Sequence, residues 1–320
     1  MGNEHSVASA TGVRVRFIEV DDTRAGQRLD NFLKLHLKGV PKTRIYRIIR
    51  KGEVRVNKGR VTAGYRLEAG DNVRIPPVRM AEKVPAPLPG AGMSGAIEKS
   101  IVYEDDALLV VNKPAGMAVH GGSGVSLGII EALRAMRPAG RFLELVHRLD
   151  RDTSGCLLIA RKRSMLKHLH VQMQSGKTEK IYRLLVVGRW PERRRKVKAP
   201  LLKNTLRSGE RIVVVHPEGK SAVTHFRILE RLDGYTLLEA RLETGRTHQI
   251  RVHARYVGCP VAGDEKYGDD EVNKAMRQQG ICRLFLHAFC LKVQLPDRRE
   301  MVFETPLPKD LREGLQQLRG

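Results

Sequence analysis

The stretch His147-Arg148-Leu149-Asp150-Arg151-Asp152-Thr153-Ser154-Gly155 places the tightest constraint on how this chain folds. Two short apolar runs enclose it, Leu145-Val146 before and Cys156-Leu157-Leu158-Ile159-Ala160 after. Apolar runs of that length, bounded by turn residues, predict buried strands. Strands of that kind hold Asp150 rigidly, and arginines on either side favour its ionised form. By composition alone the stretch also suits a solvated loop whose charges pair with one another. The order of residues, taken up below, separates the two.

The strand prediction extends along the C-terminal two thirds of the chain. Ile101-Val102-Tyr103 and Leu108 to Val111 form strands around a turn at Glu104-Asp105-Asp106. Further strands are expected near Cys156–Ala160, Ile181–Val187, Arg211–Val215, Thr224–Leu229, Tyr235–Arg241, His248–His253 and Phe285–Gln294. Helices fit near Ser126–Met136 and Ser164–Gln174. Many strands with few intervening helices predict an α+β domain with a mostly antiparallel, mixed sheet over residues 98–320.

Charge marks a second module. The chain carries 58 Lys+Arg against 35 Asp+Glu, a net +23. Residues 26–83 hold 15 of those bases against 5 acids, so +10 falls in under a fifth of the chain. Such an excess points to a polyanionic partner, because neutralised phosphates release condensed counterions. Leu29, Phe32, Leu33 and Leu37 recur at helical spacing, as do Ile45, Ile48 and Ile49. The second helix leaves Arg44, Arg47 and Lys51 off its apolar stripe, and Gly52 suits its C-terminus. Glu53 to Asn57 alternates like a strand and turns at Lys58-Gly59. The boundaries that follow are a disordered N-terminus over 1–12, the basic module over 26–80 and a flexible Pro/Gly/Ala-rich linker over 81–97.

No apolar run approaches a membrane span, and Met1 to Ser6 lacks the apolar core of a signal peptide, so a cytoplasmic, soluble protein is expected. The 4 cysteines form no Cys-x-x-Cys pair and complete no zinc spacing; Cys156, which opens an apolar run, and Cys290, after Ala288-Phe289, read as buried free thiols, the pattern of a reducing compartment. Gly121-Gly122-Ser123-Gly124 lacks the Gly-Lys-Ser/Thr ending of a phosphate cradle and reads as a structural loop. His147, His248 and His253 have no tight His-x-x-x-His spacing and are assigned to structural hydrogen bonds or RNA contacts rather than to a metal.

In order, the loop resembles the catalytic loop of the RluA-type pseudouridine synthases: His-Arg-Leu-Asp, two variable residues, then Thr-Ser-Gly, with every fixed position present. Glu179-Lys180-Ile181-Tyr182 is similar to the tyrosine segment of that family. Gly245-Arg246-Thr247-His248-Gln249-Ile250-Arg251-Val252-His253 is similar to its third motif. Asn112-Lys113-Pro114-Ala115-Gly116 and Gly263-Asp264 fit as well. The basic module resembles the S4-type (alpha-L) RNA-binding domain through Arg28-Leu29-Asp30 and Gly52 to Asn57. Its RNA contacts are expected at Arg28, Arg44, Arg47, Lys51, Arg55 and Lys58.

The resemblance implies a pseudouridine synthase fold and an isomerisation that breaks the ribose C1′–uracil N1 bond and rejoins the base through C5. It needs no cofactor and no metal. Asp150 is implied as the essential carboxylate, either attacking C1′ or removing a proton from C2′, and the sequence leaves both routes open. Arg251 is implied as its basic partner, with Arg246 the alternative. Tyr182 is implied as the active-site tyrosine, and Arg148 as the residue filling the space of an extruded base. Asp152 occupies a variable position and is assigned to the surface. Flanking segments such as Phe142 to Val146 favour the C-type branch, which modifies large-subunit 23S rRNA, over the sister D-type. A monomer with no partner but that RNA is expected. A non-catalytic RNA-binding or ribosome-assembly relative would be marked by loss of Asp150, Tyr182 or Arg251; all three are present.

Overall fold

The structure is a computed structural model that describes residues 14–22, 24–37, 39–78, 88–122, 127–138, 140–205 and 211–320. The N-terminus expected over 1–12, residues 81–87 of the expected linker, and the glycine loop beyond Gly122 lie outside the described residues. The chain divides into two compact units, Met1–Ala86 and Pro87–Gly320.

The first unit runs β1 (Arg16–Glu19), α1 (Leu29–His36), α2 (Lys42–Arg50), β2 (Arg55–Val56) and β3 (Asn72–Ile75). Leu29, Phe32 and Leu33 of α1 pack with Ile45, Ile48 and Ile49 of α2 in one core, as their three- and four-residue spacing predicts. α2 ends where Gly52 takes φ +71. There Gly52 N–H donates to Ile49 O and Glu53 N–H to Ile48 O, both at 2.9 Å, the pairing of a Schellman motif. Asn57 and Lys58 follow at φ 48 and 69, so a two-residue turn with both residues left-handed closes the hairpin between Val56 and Gly59. The sheet order is β1-β3-β2, so the module takes in β1 and begins before residue 26. β1 is an edge strand exposed along most of its length, and its sequence carries no buried stripe to announce it.

The second unit runs α3 (Ala91–Lys99), β4 (Ile101–Glu104), β5 (Leu108–Lys113), α4 (Ile129–Met136), β6 (Glu144–Leu145), β7 (Ser154–Ala160), α5 (Arg163–Gln174), β8 (Glu179–Val187) and β9 (Lys196–Lys198). It continues through β10 (Leu201–Thr205), β11 (Arg211–Val215), β12 (Val223–Leu232), β13 (Tyr235–Leu242), α6 (Gln249–Tyr256), α7 (Asp270–Gln278), β14 (Leu286–Gln294), β15 (Glu300–Glu304) and α8 (Lys309–Gln317). Ten strands form one sheet with the path β4-β5-β7-β14-β8-β13-β12-β9, β15 pairing with β14 and β6 with β7. The pairings are antiparallel except β14 with β7, which is parallel. β5 and β7 are buried on both faces. Leu109, Val111, Leu157 and Ile159 meet α4, and Leu108, Val110, Leu158 and Ala160 meet α5, the period-two split of a two-sided strand.

Two expectations are corrected. The linker does not reach residue 97: Ala91–Lys99 is helical and its Ile97 is fully buried against β5 and β7. Gly92 and Gly95 conceal that helix, since glycine is a poor helix former and offers no side chain to a periodic pattern. The strand expected at His248–His253 is the helix α6, in which Gln249 to Ala254 are all buried. Ile250 and Val252 alternate over a span too short to separate a period of 2 from one of 3.6.

Candidate active site

Asp150 lies in the connection from β6 to β7, three residues after His147 and four before the first residue of β7. Buried bonds brace this connection from three sides. Leu149 is inserted into the core that α3 and α4 share with the sheet. His147 Nε2 accepts the Leu158 N–H of β7 at 3.0 Å, and burial pulls that imidazole down to about 4, so it is neutral. Lys113, fully buried at the end of β5, donates to the carbonyls of Pro114, Met117 and Arg151 at 2.8, 2.8 and 2.7 Å. Three acceptors use all three N–H groups of an ammonium, although burial draws its pKa down to about 7. The backbone immediately after the carboxylate is thereby tied to β5.

Arg251 projects from α6 towards that carboxylate. Its Nε and Nη2 both donate to Asp264 at 2.7 Å in a bidentate pair. Asp264 is itself fully buried and accepts the backbone N–H groups of Lys266 and Tyr267. The remaining nitrogen, Nη1, lies 3.9 Å from Asp150 Oδ2. Burial opposes the guanidinium charge, but the hydrogen bonds and charge of Asp264, with Asp150, outweigh it and raise the Arg251 pKa. Arg246, the alternative partner, instead donates to Ser221 O at 3.1 Å.

Tyr182 on β8 pairs in register with Ala288 of β14 and Ala240 of β13. It shares with Asp150, Arg148, Arg246, His248 and Arg251 the wall of a cavity of about 550 Å³. Burial, then the nearby Asp150 charge, raises the Tyr182 pKa, so its phenol keeps its proton. Arg148 is exposed on the rim of this cavity and of a second one of about 710 Å³; the two meet at Asp150. Asp152, 43% exposed, is held by the neighbouring Arg151 at 3.0 Å. His253 is fully buried between Thr224 Oγ1 and Ala199 O. The sequence therefore located Asp150, Tyr182, Arg251 and Arg148 around one cavity. It did not single out Lys113 or Asp264, although each falls within a motif already noted, and it assigned His248 only to a structural hydrogen bond or an RNA contact.

On the basic module, Arg44 and Arg47 are exposed on one ridge of α2, with Lys51 one turn further on. Arg55 donates to Gly52 O and Lys58 O, tying the hairpin to the end of α2. Arg28 is different: its guanidinium forms two 3.1 Å bonds to Asp30, whose pKa it holds at about 2. Tyr46 closes the same carboxylate at 2.7 Å. The chief partner of Arg28 is thus within the module.

Comparison with known proteins agrees with this arrangement. The RNA pseudouridylate synthase family matches residues 107–256, and the S4 domain matches residues 27–73. The chain is 53% identical over 307 residues to the ribosomal large subunit pseudouridine synthase C of Haemophilus influenzae, covering 95% of each. It is 54% identical over 310 residues to the protein of that name from Escherichia coli K12, covering 96% of this chain and 97% of the relative. Among solved structures, human RNA pseudouridylate synthase domain containing 4 superposes with a TM-score of 0.59 at 26% identity, covering 71% of this chain and 96% of that one. With Asp150, Tyr182 and the buried Arg251 on one cavity, and with these family matches, this chain belongs to the RNA pseudouridine synthases.

Proposed function

We propose that this protein isomerises specific uridines to pseudouridine in the 23S RNA of the bacterial large ribosomal subunit or its precursor. It acts in the cytoplasm as a monomer and without a cofactor, and Asp150 works on the ribose of a flipped uridine. The observation that carries the reading is the convergence of Asp150, Tyr182 and Arg251 on one cavity, with Arg148 at its rim. Arg251 is immobilised by Asp264, so its third nitrogen presents a fixed positive charge to the carboxylate with little reorganisation. Tyr182 enters the reaction protonated, offering a ring for the uracil to stack on and an O–H to donate to the turning base. Arg148, on the rim, is placed to fill the gap that the extruded uridine leaves. Arg44, Arg47, Lys51, Arg55 and Lys58 supply phosphate contacts, which position the RNA without reading its sequence.

The test compares two neighbouring carboxylates. Asp150→Asn keeps the size but removes the charge, so conversion of an rRNA fragment should fall below detection while its affinity changes little. Asp152→Asn should keep most of the activity. Substantial turnover by the Asp150 variant would show that the carboxylate has been misassigned.

A further inference from the structure

His248 stands at the start of α6 with φ 54 and ψ 19, a left-handed backbone uncommon outside glycine. This turn delivers both ring nitrogens to specific partners. Nδ1 lies 2.7 Å from the hydroxyl of Tyr267, and Nε2 lies 3.8 Å from Asp150 Oδ2. The Tyr267 hydroxyl is buried and already accepts the Val213 N–H of β11 at 2.9 Å. A phenol has one proton of its own, and here it points to His248 Nδ1; the reverse polarity would leave a buried O–H unpaired. With Nδ1 accepting, the neutral imidazole carries its proton on Nε2, the nitrogen that faces the carboxylate.

Arg251 Nη1 also makes its closest approach to Asp150 at Oδ2. Two donors, one neutral and one charged, thus converge on a single carboxylate oxygen. We infer that His248 is a positioning residue for the isomerisation: its Nε2–H and Arg251 together clamp Asp150 Oδ2, leaving Oδ1 as the oxygen that meets the ribose. The inference rests on Asp150 being the reacting carboxylate and holds whether Oδ1 attacks C1′ or takes a proton from C2′. Distances of 3.8 and 3.9 Å exceed those of hydrogen bonds, and catalytic contacts of this kind tighten when substrate fills the site. The charged and titratable groups around the ring are Asp150 from the loop before β7, Arg251 from α6, and Asp264, Lys266 and Tyr267 from the loop that follows. Burial lowers the His248 pKa, Arg251 and Lys266 act in the same sense, and Asp150 and Asp264 oppose them. The ring is therefore a neutral donor at neutral pH.

The experiment measures pseudouridine formation by the full chain on an rRNA fragment, as kcat and KM. Asparagine tolerates a left-handed backbone but does not carry a donor as far as Nε2, so His248→Asn should keep the fold and lower kcat by about 100-fold. KM should stay within about two-fold, since ground-state binding is untouched. His248→Gln, with a longer N–H arm, should recover part of the loss. Tyr267→Phe frees Nδ1 to take the proton and should lower kcat by about 10-fold, with no further loss when combined with His248→Asn. Unchanged kcat in His248→Asn, a loss confined to KM, or multiplying losses in the double variant would each overturn the inference. If His248→Asn does not fold, Tyr267→Phe decides alone, and full activity overturns it. Asp150→Asn is run alongside. An inactive Asp150 variant beside a normal His248 variant sinks only the role of His248, whereas an active Asp150 variant sinks the carboxylate assignment.

Discussion

Gly155, five residues after the Asp150 carboxylate, shows how a single missing side chain shapes the candidate site. Its φ is +114, and a Cβ there would lie 2.6 Å from the backbone nitrogen of Ala288 on β14. Glycine therefore serves both the backbone conformation and the close approach of two parallel strands. Gly155→Ala should destabilise the second unit by about 2–5 kcal/mol, from backbone strain plus overlap. A urea titration would show this as a lower midpoint, and activity should fall with it because β7 anchors Asp150. An alanine variant with an unchanged midpoint would mean that β7 and β14 separate without penalty. The identity of Gly155 was legible in the Thr-Ser-Gly signature, but its reason was not: Ala288 lies far along the chain. Asp264 escaped for the same kind of cause. Its role is to hold Arg251, and nothing local to Gly263-Asp264 announces a guanidinium thirteen residues back.

Elements respond to pH through two neutral imidazoles. His147 accepts the β7 amide, and His287 on β14 sits between Ser154 Oγ and Thr305 O. Burial draws each down to about 4, against an ordinary 6.5. Between those values the unfolded chain binds protons that the folded one refuses, so their contribution to stability is complete above pH 6.5 and is lost as pH falls towards 4. The melting temperature should therefore drop between about pH 6.5 and about pH 4.5. His147→Gln, whose side-chain oxygen can also accept from Leu158, should flatten that decline; a parallel decline would remove His147 from the account. The strands beside these histidines were legible from apolar runs, residues 108–111 in β5 and 156–160 in β7. α6 was misread as a strand because Gln249, Arg251 and His253 alternate with Ile250 and Val252 and are themselves buried, so they mark no solvent face. α7 and α8 went unread, being polar helices with few buried positions.

For the whole molecule, the division of charge and core between two units allows them to be separated experimentally. The second unit has its own clusters of buried side chains, so a chain lacking residues 1–86 should fold. Its affinity for rRNA should fall, and the slope of log affinity against log salt should become shallower by about 0.7–0.9 for each phosphate that is no longer neutralised. An unchanged slope would show that the basic module does not touch RNA. The sheet itself sets an order on assembly. β14 lies between β7, which follows Asp150, and β8, which carries Tyr182; its hydrogen bonds join the two halves of the path. A ribosome makes this strand after every other strand of the path. Until residues 286–294 emerge, the nascent chain can form two half-sheets, β4-β5-β7 and β8-β13-β12-β9, without the strand that holds the carboxylate and the tyrosine in register. Closing that long-range pairing is intrinsically slow, because distant segments must meet before their contacts offset the chain entropy given up. Carboxylate and tyrosine are therefore brought into register in one event, which follows the synthesis of both half-sheets.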